Sequence, residues 1–331
     1  MDLGVRRGGG RVAAARAGAG QLRRPGPGAA DDPGAFAGHH GPAARREDDR
    51  GERAGGPAGA THRQGPFTEA VCGYDAGGTE FFGTMAEWLV ARAGISVGAT
   101  VLDLGCGKGA VTLAGARAAG PGVHVTGIDL AGPMLKHARA AARQARQRNV
   151  VFQPGDAEDP RPFGPATFDA IVAAYLIQFL PRPAHAAWKW RQLFKPGGVL
   201  SLTWGAAKDP RWAPVMAAVD AHVPDGMPGF EAFFRRPPFH DIAEVDQMLA
   251  GSGYEQVTTV AREVTTVYDT PEQWWTTCLS QAPGAVAWRH IPEDRLPAAR
   301  HDAFTALDSV RDSDGKLVRV LTFACTSGAS R

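Results

Sequence analysis

The 331 residues carry 36 Lys plus Arg against 34 Asp plus Glu, a formal net charge of +2, which excludes the basic excess of a dedicated nucleic-acid binder. The balance is uneven: residues 1–65 hold 11 of the basic residues, all Arg, with 7 of the acidic ones and a single aromatic, Phe36, whereas all 8 Trp lie beyond. Hydrophobic residues make up 44% of the chain, yet no run approaches the ~20 consecutive apolar residues of a membrane span.

Residues 1–65 are mostly Gly, Ala, Arg and Pro and offer too few large apolar groups to offset the entropy of ordering. They are expected to be a disordered extension: a solvated tail, a loose polyanion-binding arm, or a stretch upstream of the true start. The pairs Arg6–Arg7 and Arg23–Arg24 are not followed by the apolar segment of a signal peptide. The domain proper is expected over 66–331.

From Phe67 the pattern changes. Residues 84–94 have apolar side chains at helical spacing and end at Gly94. Residues 99–105 read as a buried strand, 109–120 as a helix, 123–129 as a second strand and 131–148 as a helix with Pro133 in its first turn. A third strand follows at 149–153 and a fourth at 168–177. A helix beginning near Arg182 is stopped by Lys195-Pro196-Gly197-Gly198, and 199–204 form a fifth strand. Residues 206–240 break the alternation with Pro, Phe and Trp. A helix at 241–253, a strand at 254–261, helices at 271–281 and 292–310 and a last strand at 316–326 complete the chain. This order indicates an α/β doubly wound, Rossmann-like sheet of seven strands, mostly parallel, with an antiparallel pair at one edge. Helical lid insertions are expected at about 206–240 and 263–310. Ligands of such sheets bind beyond the carboxyl ends of the strands.

The stretch VLDLGCGKG places the loop Gly105-Cys106-Gly107-Lys108-Gly109 directly after a strand and before a helix. Glycines there let the backbone turn sharply and bring its amides close to a ligand. The spacing is GxGxG rather than the GxGxxG of dinucleotide binders, and Asp103 precedes the first glycine by two residues. The stretch resembles motif I of the class I S-adenosylmethionine (SAM)-dependent methyltransferases, most closely the UbiE-like small-molecule group. The resemblance covers residues 68–205 strongly and 241–325 in strand order only.

The resemblance implies SAM as cofactor. It assigns Gly105, Cys106, Gly107 and Gly109 to the loop that cradles the amino-acid part, with Asp103 reaching that part directly or through water. It assigns Asp129 to the ribose hydroxyls, Asp156 and the Ala157 amide to the adenine edge, and Leu130 and Met134 to its faces. Ala173, Ala174 and Tyr175 would flank the cofactor at the end of the fourth strand. Read by itself, Cys106 is a small packing residue rather than a nucleophile. One departure stands out: Gln178-Phe179 occupy the place where many members carry histidines.

Transfer of a methyl group from a sulfonium asks mainly for a positioned nucleophile and exclusion of water. Tyr74, Phe82, Trp204, Phe233 and Phe234 are expected to line an apolar acceptor pocket, with Phe81, Phe230, Phe239, Trp274 and Trp275 nearby in sequence. Where a base is needed, His222, His240 and His185 are the candidates in that order, with His290 and Asp225 behind them. Arg235-Arg236 could pair with an acidic acceptor. The expected partner is a small-molecule acceptor, with no nucleic acid and no membrane span; a homo-oligomer is left open. Cys72, Cys106, Cys278 and Cys325 show neither zinc-ligand spacing nor a disulfide framework, so no metal is expected and a reducing, cytoplasmic setting is. The competing readings are an NAD-dependent oxidoreductase, which the loop spacing and Asp156 disfavour, a non-catalytic protein retaining the cofactor fold, and RNA methylation, disfavoured by the acidic balance beyond residue 65.

Overall fold

The computed structural model describes residues 81–160, 162–224, 239, 241–280, 288 and 290–330, with backbone only at Phe81 and Ser280. The expected extension over 1–65 lies outside the described residues.

Seven strands form one sheet in the order β3-β2-β1-β4-β5-β7-β6. They are β1 (Val101–Leu104), β2 (Val125–Asp129), β3 (Val150–Pro154), β4 (Phe168–Ala174), β5 (Phe194–Ala207), β6 (Glu255–Tyr268) and β7 (Leu317–Ala329). Pairing is parallel from β3 to β5, and β7 runs antiparallel to both β5 and β6. The strand order reverses between β1 and β4, so the crevice of a doubly wound sheet falls at the end of β1.

Helices α1 (Phe81–Ala93), α2 (Ala110–Ala119), α3 (Gly132–Gln144), α4 (Pro183–Arg191) and α6 (Ile242–Gly251) flank the sheet. Side chains alternate across a strand, so successive residues of β1 and β4 feed opposite cores. Leu102, Ile171, Leu202 and Trp204 pack with Trp190 of α4 and Leu249 of α6. Val101, Val172 and Cys325 pack with Leu89 of α1 and Val111 of α2. Helices α5 (Ala213–Asp220), α7 (Pro271–Ser280) and α8 (Leu296–Leu307) share a separate core with Trp212, Tyr268, Trp274 and Trp288. Ring centroids in that group lie 5.7–6.2 Å apart.

Three boundaries differ from the sequence reading. β6 runs to Tyr268 rather than to residue 261, so a second insertion starting at 263 is corrected to one starting after the strand. The Val and Thr residues of 257–267 suit a pleated surface, and β7 pairs with β6 along that length. β4 stops at Ala174 because Tyr175 turns to φ +55°, and Ile177–Phe179 form a 3-10 turn instead of more strand. Lys195-Pro196-Gly197-Gly198 do interrupt the ladder, but pairing resumes across them: Phe194 faces Phe168 and Val199 faces Ala170. Pro196 lacks the amide a continuous ladder requires, and Gly197 turns at φ +77°.

The amino ends of the parallel strands are pinned by a carboxylate. Asp169 Oδ2 accepts from the Thr100 amide (2.8 Å), the Thr100 hydroxyl (2.7 Å) and Lys195 Nζ (2.7 Å). Against the upward push of burial, the hydrogen bonds from Lys195 and Thr100 hold Asp169 down to about 2.

Candidate functional site

The crevice is built from backbone. Gly105, Gly107 and Gly109 all have positive φ, so the loop turns through conformations that side chains resist. At Gly109, which caps α2 with φ +88°, an added Cβ would meet Phe152 Cζ at 3.0 Å and Ala138 Cβ at 3.1 Å. The Cys106 amide donates to the Ile128 carbonyl (2.9 Å) and the Gly109 amide to the Cys106 carbonyl (2.8 Å), so the loop is stitched to the end of β2. Cys106 itself is buried with Leu135, Ala138 and Phe152, and burial pushes its thiol well above the ordinary value. A packing role suits it.

Two acidic side chains lie at this crevice. Asp129 Oδ2 accepts from the Gly107 amide and Oδ1 from the Ala131 amide, each at 2.8 Å, which fixes the loop against the start of α3. Burial raises its pKa, with those amides opposing. Asp103 is 1% exposed. Its Oδ2 accepts from Thr112 Oγ1 at 2.6 Å, while its Oδ1 is buried and has no hydrogen-bond partner among the described residues. Burial, with Asp129 nearby as a lesser cause, pushes Asp103 up to about 7. A buried carboxylate oxygen without a donor costs free energy, and a cationic or N–H-bearing group would relieve it.

The remaining strand-end positions converge on the same edge. Leu130 follows β2 and Met134 is buried in the first turn of α3. Asp156 Oδ1 accepts from the Glu158 amide (2.9 Å), and the carbonyl of buried Ala157 accepts from Trp190 Nε1 (2.6 Å), which holds the turn after β3 in place. Ala173 is buried at the end of β4, and the Tyr175 amide donates to the Thr203 carbonyl (2.8 Å). Tyr175 meets Phe82 edge-on at 6.3 Å between centroids, so α1 closes over this side of the crevice.

The acceptor-side residues are more scattered. Trp204 is 1% exposed and donates from Nε1 to Thr326 Oγ1 (3.1 Å), within the core and 6.1 Å from the Phe239 ring. His222 follows α5, with Nε2 at 2.8 Å from Asp302 Oδ2 of α8. His185 is exposed in the first turn of α4 and stacks on Trp188 at 5.9 Å. His290 is exposed. Tyr74, Asp225, Phe230, Phe233, Phe234, Arg235, Arg236 and His240 lie outside the described residues.

Thr112, Gly127 and Leu176 had not been singled out from the sequence. Thr112 supplies the hydroxyl to Asp103, and Gly127 makes room for it: a Cβ there would sit 2.7 Å from Thr112 Oγ1. The one signal was a threonine on the buried face of an otherwise apolar helix start. Leu176 covers Gly105, whose added Cβ would meet Leu176 Cδ1 at 2.8 Å. Gln178, in the 3-10 turn after β4, has a buried Oε1 with no partner among the described residues.

Known proteins share this arrangement. The family described as "methyltransferase domain" matches residues 101–198, from β1 into β5. Nocamycin O-methyltransferase of Saccharothrix syringae is 33% identical over 195 residues, covering 56% of this chain and 69% of that protein. The chain belongs to the class I SAM-dependent methyltransferases. Aklanonic acid methyltransferase of a Streptomyces strain is 34% identical over 137 residues, 41% of this methyltransferase and 62% of that enzyme. Ubiquinone biosynthesis O-methyltransferase of Xylella fastidiosa is 40% identical over 117 residues, 35% and 46% of the two chains, so the match spans less than half of that relative. In fold, the methyltransferase resembles a putative methyltransferase from Bacillus halodurans (TM-score 0.53, 18% identity, 75% of this chain and 99% of that one). It also resembles the YcgJ protein of Bacillus subtilis (TM-score 0.51, 19% identity, the same coverages). SAM is the cofactor of this family, and the buried, donor-seeking oxygen of Asp103 above the Gly-rich loop fits its cationic amino-acid end. Among the described residues, no helix is long and apolar enough to cross a membrane.

Proposed function

We propose that this methyltransferase methylates an oxygen atom of a small, largely apolar metabolite, in natural-product or quinone-type biosynthesis. The single observation that supports the cofactor side is the buried Oδ1 of Asp103, two residues before the first glycine of the loop, which has no hydrogen-bond partner among the described residues. The oxygen acceptor is suggested by the relatives, which are O-methyltransferases of nocamycin and of ubiquinone biosynthesis.

When bound, SAM supplies a methyl group on a positively charged sulfur, an electrophile with a good leaving group already in place. In this reading Asp103 pairs with the ammonium of the cofactor, and Asp129 accepts from the ribose hydroxyls with lone pairs its two backbone donors leave over. Asp156 and the Ala157 amide meet the adenine edge, with Leu130 and Met134 against its faces; Gly105, Cys106, Gly107 and Gly109 give backbone room; Ala173 and Tyr175 flank the reacting end. Helices α5, α7 and α8, packed on Trp212, Trp274 and Trp288, serve as a cap that keeps water out, together with Phe82. The domain organisation follows: a Gly/Ala/Arg-rich extension over 1–65 and a catalytic domain over 66–331 with two cap insertions.

Of His222, His240 and His185, the reading ranks His222 first as proton acceptor. Its bond to Asp302 is the kind that orients an imidazole. The test is incubation with methyl-labelled SAM and a small-molecule extract, followed by mass spectrometry. Labelled product carrying one methyl on oxygen is expected; label found only in protein or nucleic acid would overturn the acceptor class.

A further inference from the structure

Outside the cofactor crevice, a second set of polar groups is unbalanced in the opposite sense. It lies between α1 and the edge strand β6 and consists of donors. Trp88 and Arg92 sit one helical turn apart on α1 and therefore share a face. Trp88 Nε1 and Arg92 Nε are both buried, and neither has an acceptor among the described residues. Arg92 Nη2 makes a long contact, 3.4 Å, to Thr258 Oγ1 of β6, and the Arg92 side chain also donates to the Cys325 sulfur. Arg262, four residues further along the same face of β6, lays its guanidinium over the Trp88 ring, 4.7 Å from the centroid. Between them lies Cys325 of β7, paired with Val260. Burial raises that thiol to about 11, opposed by Arg92 and Arg262, which places both cations close to it.

The nearby carboxylates are committed elsewhere. Glu87 on α1 is ion-paired with Arg117 of α2. Glu263 follows Arg262 in a regular part of the ladder, so it points to the other face of the sheet. Neither Arg92 nor Arg262 has an ion-pair partner among the described residues. Buried N–H groups are nearly always satisfied in folded proteins, because leaving one unmade forfeits its hydration without return. Beyond the contacts of Arg92 to Thr258 and Cys325, two guanidiniums and an indole N–H face no carboxylate among the described residues, and that defines the chemistry of what would complete the group. The planar fork of arginine matches an oxyanion, and an indole can only donate.

We infer that Trp88, Arg92 and Arg262 form a binding site for a small oxyanion, a phosphate or carboxylate group, clamped between α1 and the β6–β7 edge. Arg262 is exposed at the outer side of this group. Such an anion would tie α1 to the sheet edge, and the other end of α1 carries Phe82, which meets Tyr175 beside the glycine loop. The site is independent of the cofactor reading.

The test uses the full chain at constant ionic strength, with chloride replaced by inorganic phosphate, glycerol 3-phosphate or acetate. Isothermal titration and the thermal midpoint are both read. At least one of the three ions is expected to bind and raise the midpoint. Its Kd should weaken about tenfold or more in Arg262→Gln and in Arg92→Gln, while Arg117→Gln binds as the wild type does. Tighter binding of glycerol 3-phosphate than of phosphate would assign the site to a phosphate ester, and the reverse order to the free ion; preference for acetate would assign it to a carboxylate. Should Arg92→Gln fail to fold, Arg262→Gln on the exposed strand still decides. No binding of any ion, or equal binding in wild type and Arg262→Gln, would overturn the site and leave water as the partner of these donors.

Discussion

The two ends of the parallel strands hold carboxylates in opposite conditions. At the amino ends, Asp169 receives three hydrogen bonds and sits at about 2. At the carboxyl ends, Asp103 is met by Thr112 alone, keeps a buried Oδ1 without a donor among the described residues, and sits at about 7. Both residues belong to neighbouring strands of one sheet, so the difference is not one of fold but of what each end leaves incomplete. The amino end closes its polar accounts with Thr100 and Lys195 and gains stability. The carboxyl end leaves one open among the described residues, at a cost to the apo fold that a bound cation would relieve.

That contrast predicts effects of opposite kind. The largest is on binding: Asp103→Asn should weaken S-adenosylhomocysteine by about 100-fold, roughly 2.7 kcal/mol, with the apo thermal midpoint unchanged or higher. Isothermal titration beside calorimetry reads both. A lower midpoint with unchanged affinity would reverse the assignment of the two ends.

Asp169→Ala should do the converse. Thr100 and Lys195 lose their shared acceptor, the midpoint at pH 7 falls by a few degrees, and S-adenosylhomocysteine affinity stays the same. Because the folded pKa of Asp169 lies below the ordinary 3.8, its contribution is present above that value and is lost as pH falls through about 2. The variant should therefore lose the part of the wild type's acid-unfolding slope that falls in this window.

For Asp103 the sign is the other way. The folded protein holds this proton more tightly than the unfolded chain, so the ionised carboxylate weighs against the fold as pH rises from 3.8 to about 7. Binding a cationic amino group favours the ionised form. S-adenosylhomocysteine affinity in the wild type should accordingly rise between pH 6 and 8, roughly one unit either side of that value, and stay flat in Asp103→Asn.

The smallest expected effect is at Thr112. Thr112→Val removes the hydroxyl that donates to Asp103 Oδ2, so the midpoint of that pH dependence should move upward, with a loss of affinity of about tenfold or less at pH 7. A fluorescence titration across pH would register it.

The sequence made the carboxyl end legible because backbone geometry restricts which residues can stand there. A loop turning through positive φ at Gly105, Gly107 and Gly109 tolerates little else, and carboxylates at successive strand ends follow from the same periodicity that marks the strands. The order of strands and helices was readable for the same reason. Thr112 and Gly127 were not, because their importance is relational: one hydroxyl reaches one carboxylate only where a missing Cβ permits it. The length of β6 was missed because the Thr-rich, largely exposed run 258–267 lacks an apolar signal, and its pairing with β7 decides where it ends. In the helices around Trp212, Trp274 and Trp288, bulk rather than position carries the packing, so the sequence pointed to lid insertions without showing that they hold a core of their own or which residues face a substrate.

A crystal structure with S-adenosylhomocysteine tests the central claim most directly. The account predicts the amino group of the ligand within hydrogen-bonding distance of Asp103 Oδ1. Ligand density elsewhere, or an Oδ1 still without a donor when the ligand is bound, would contradict it.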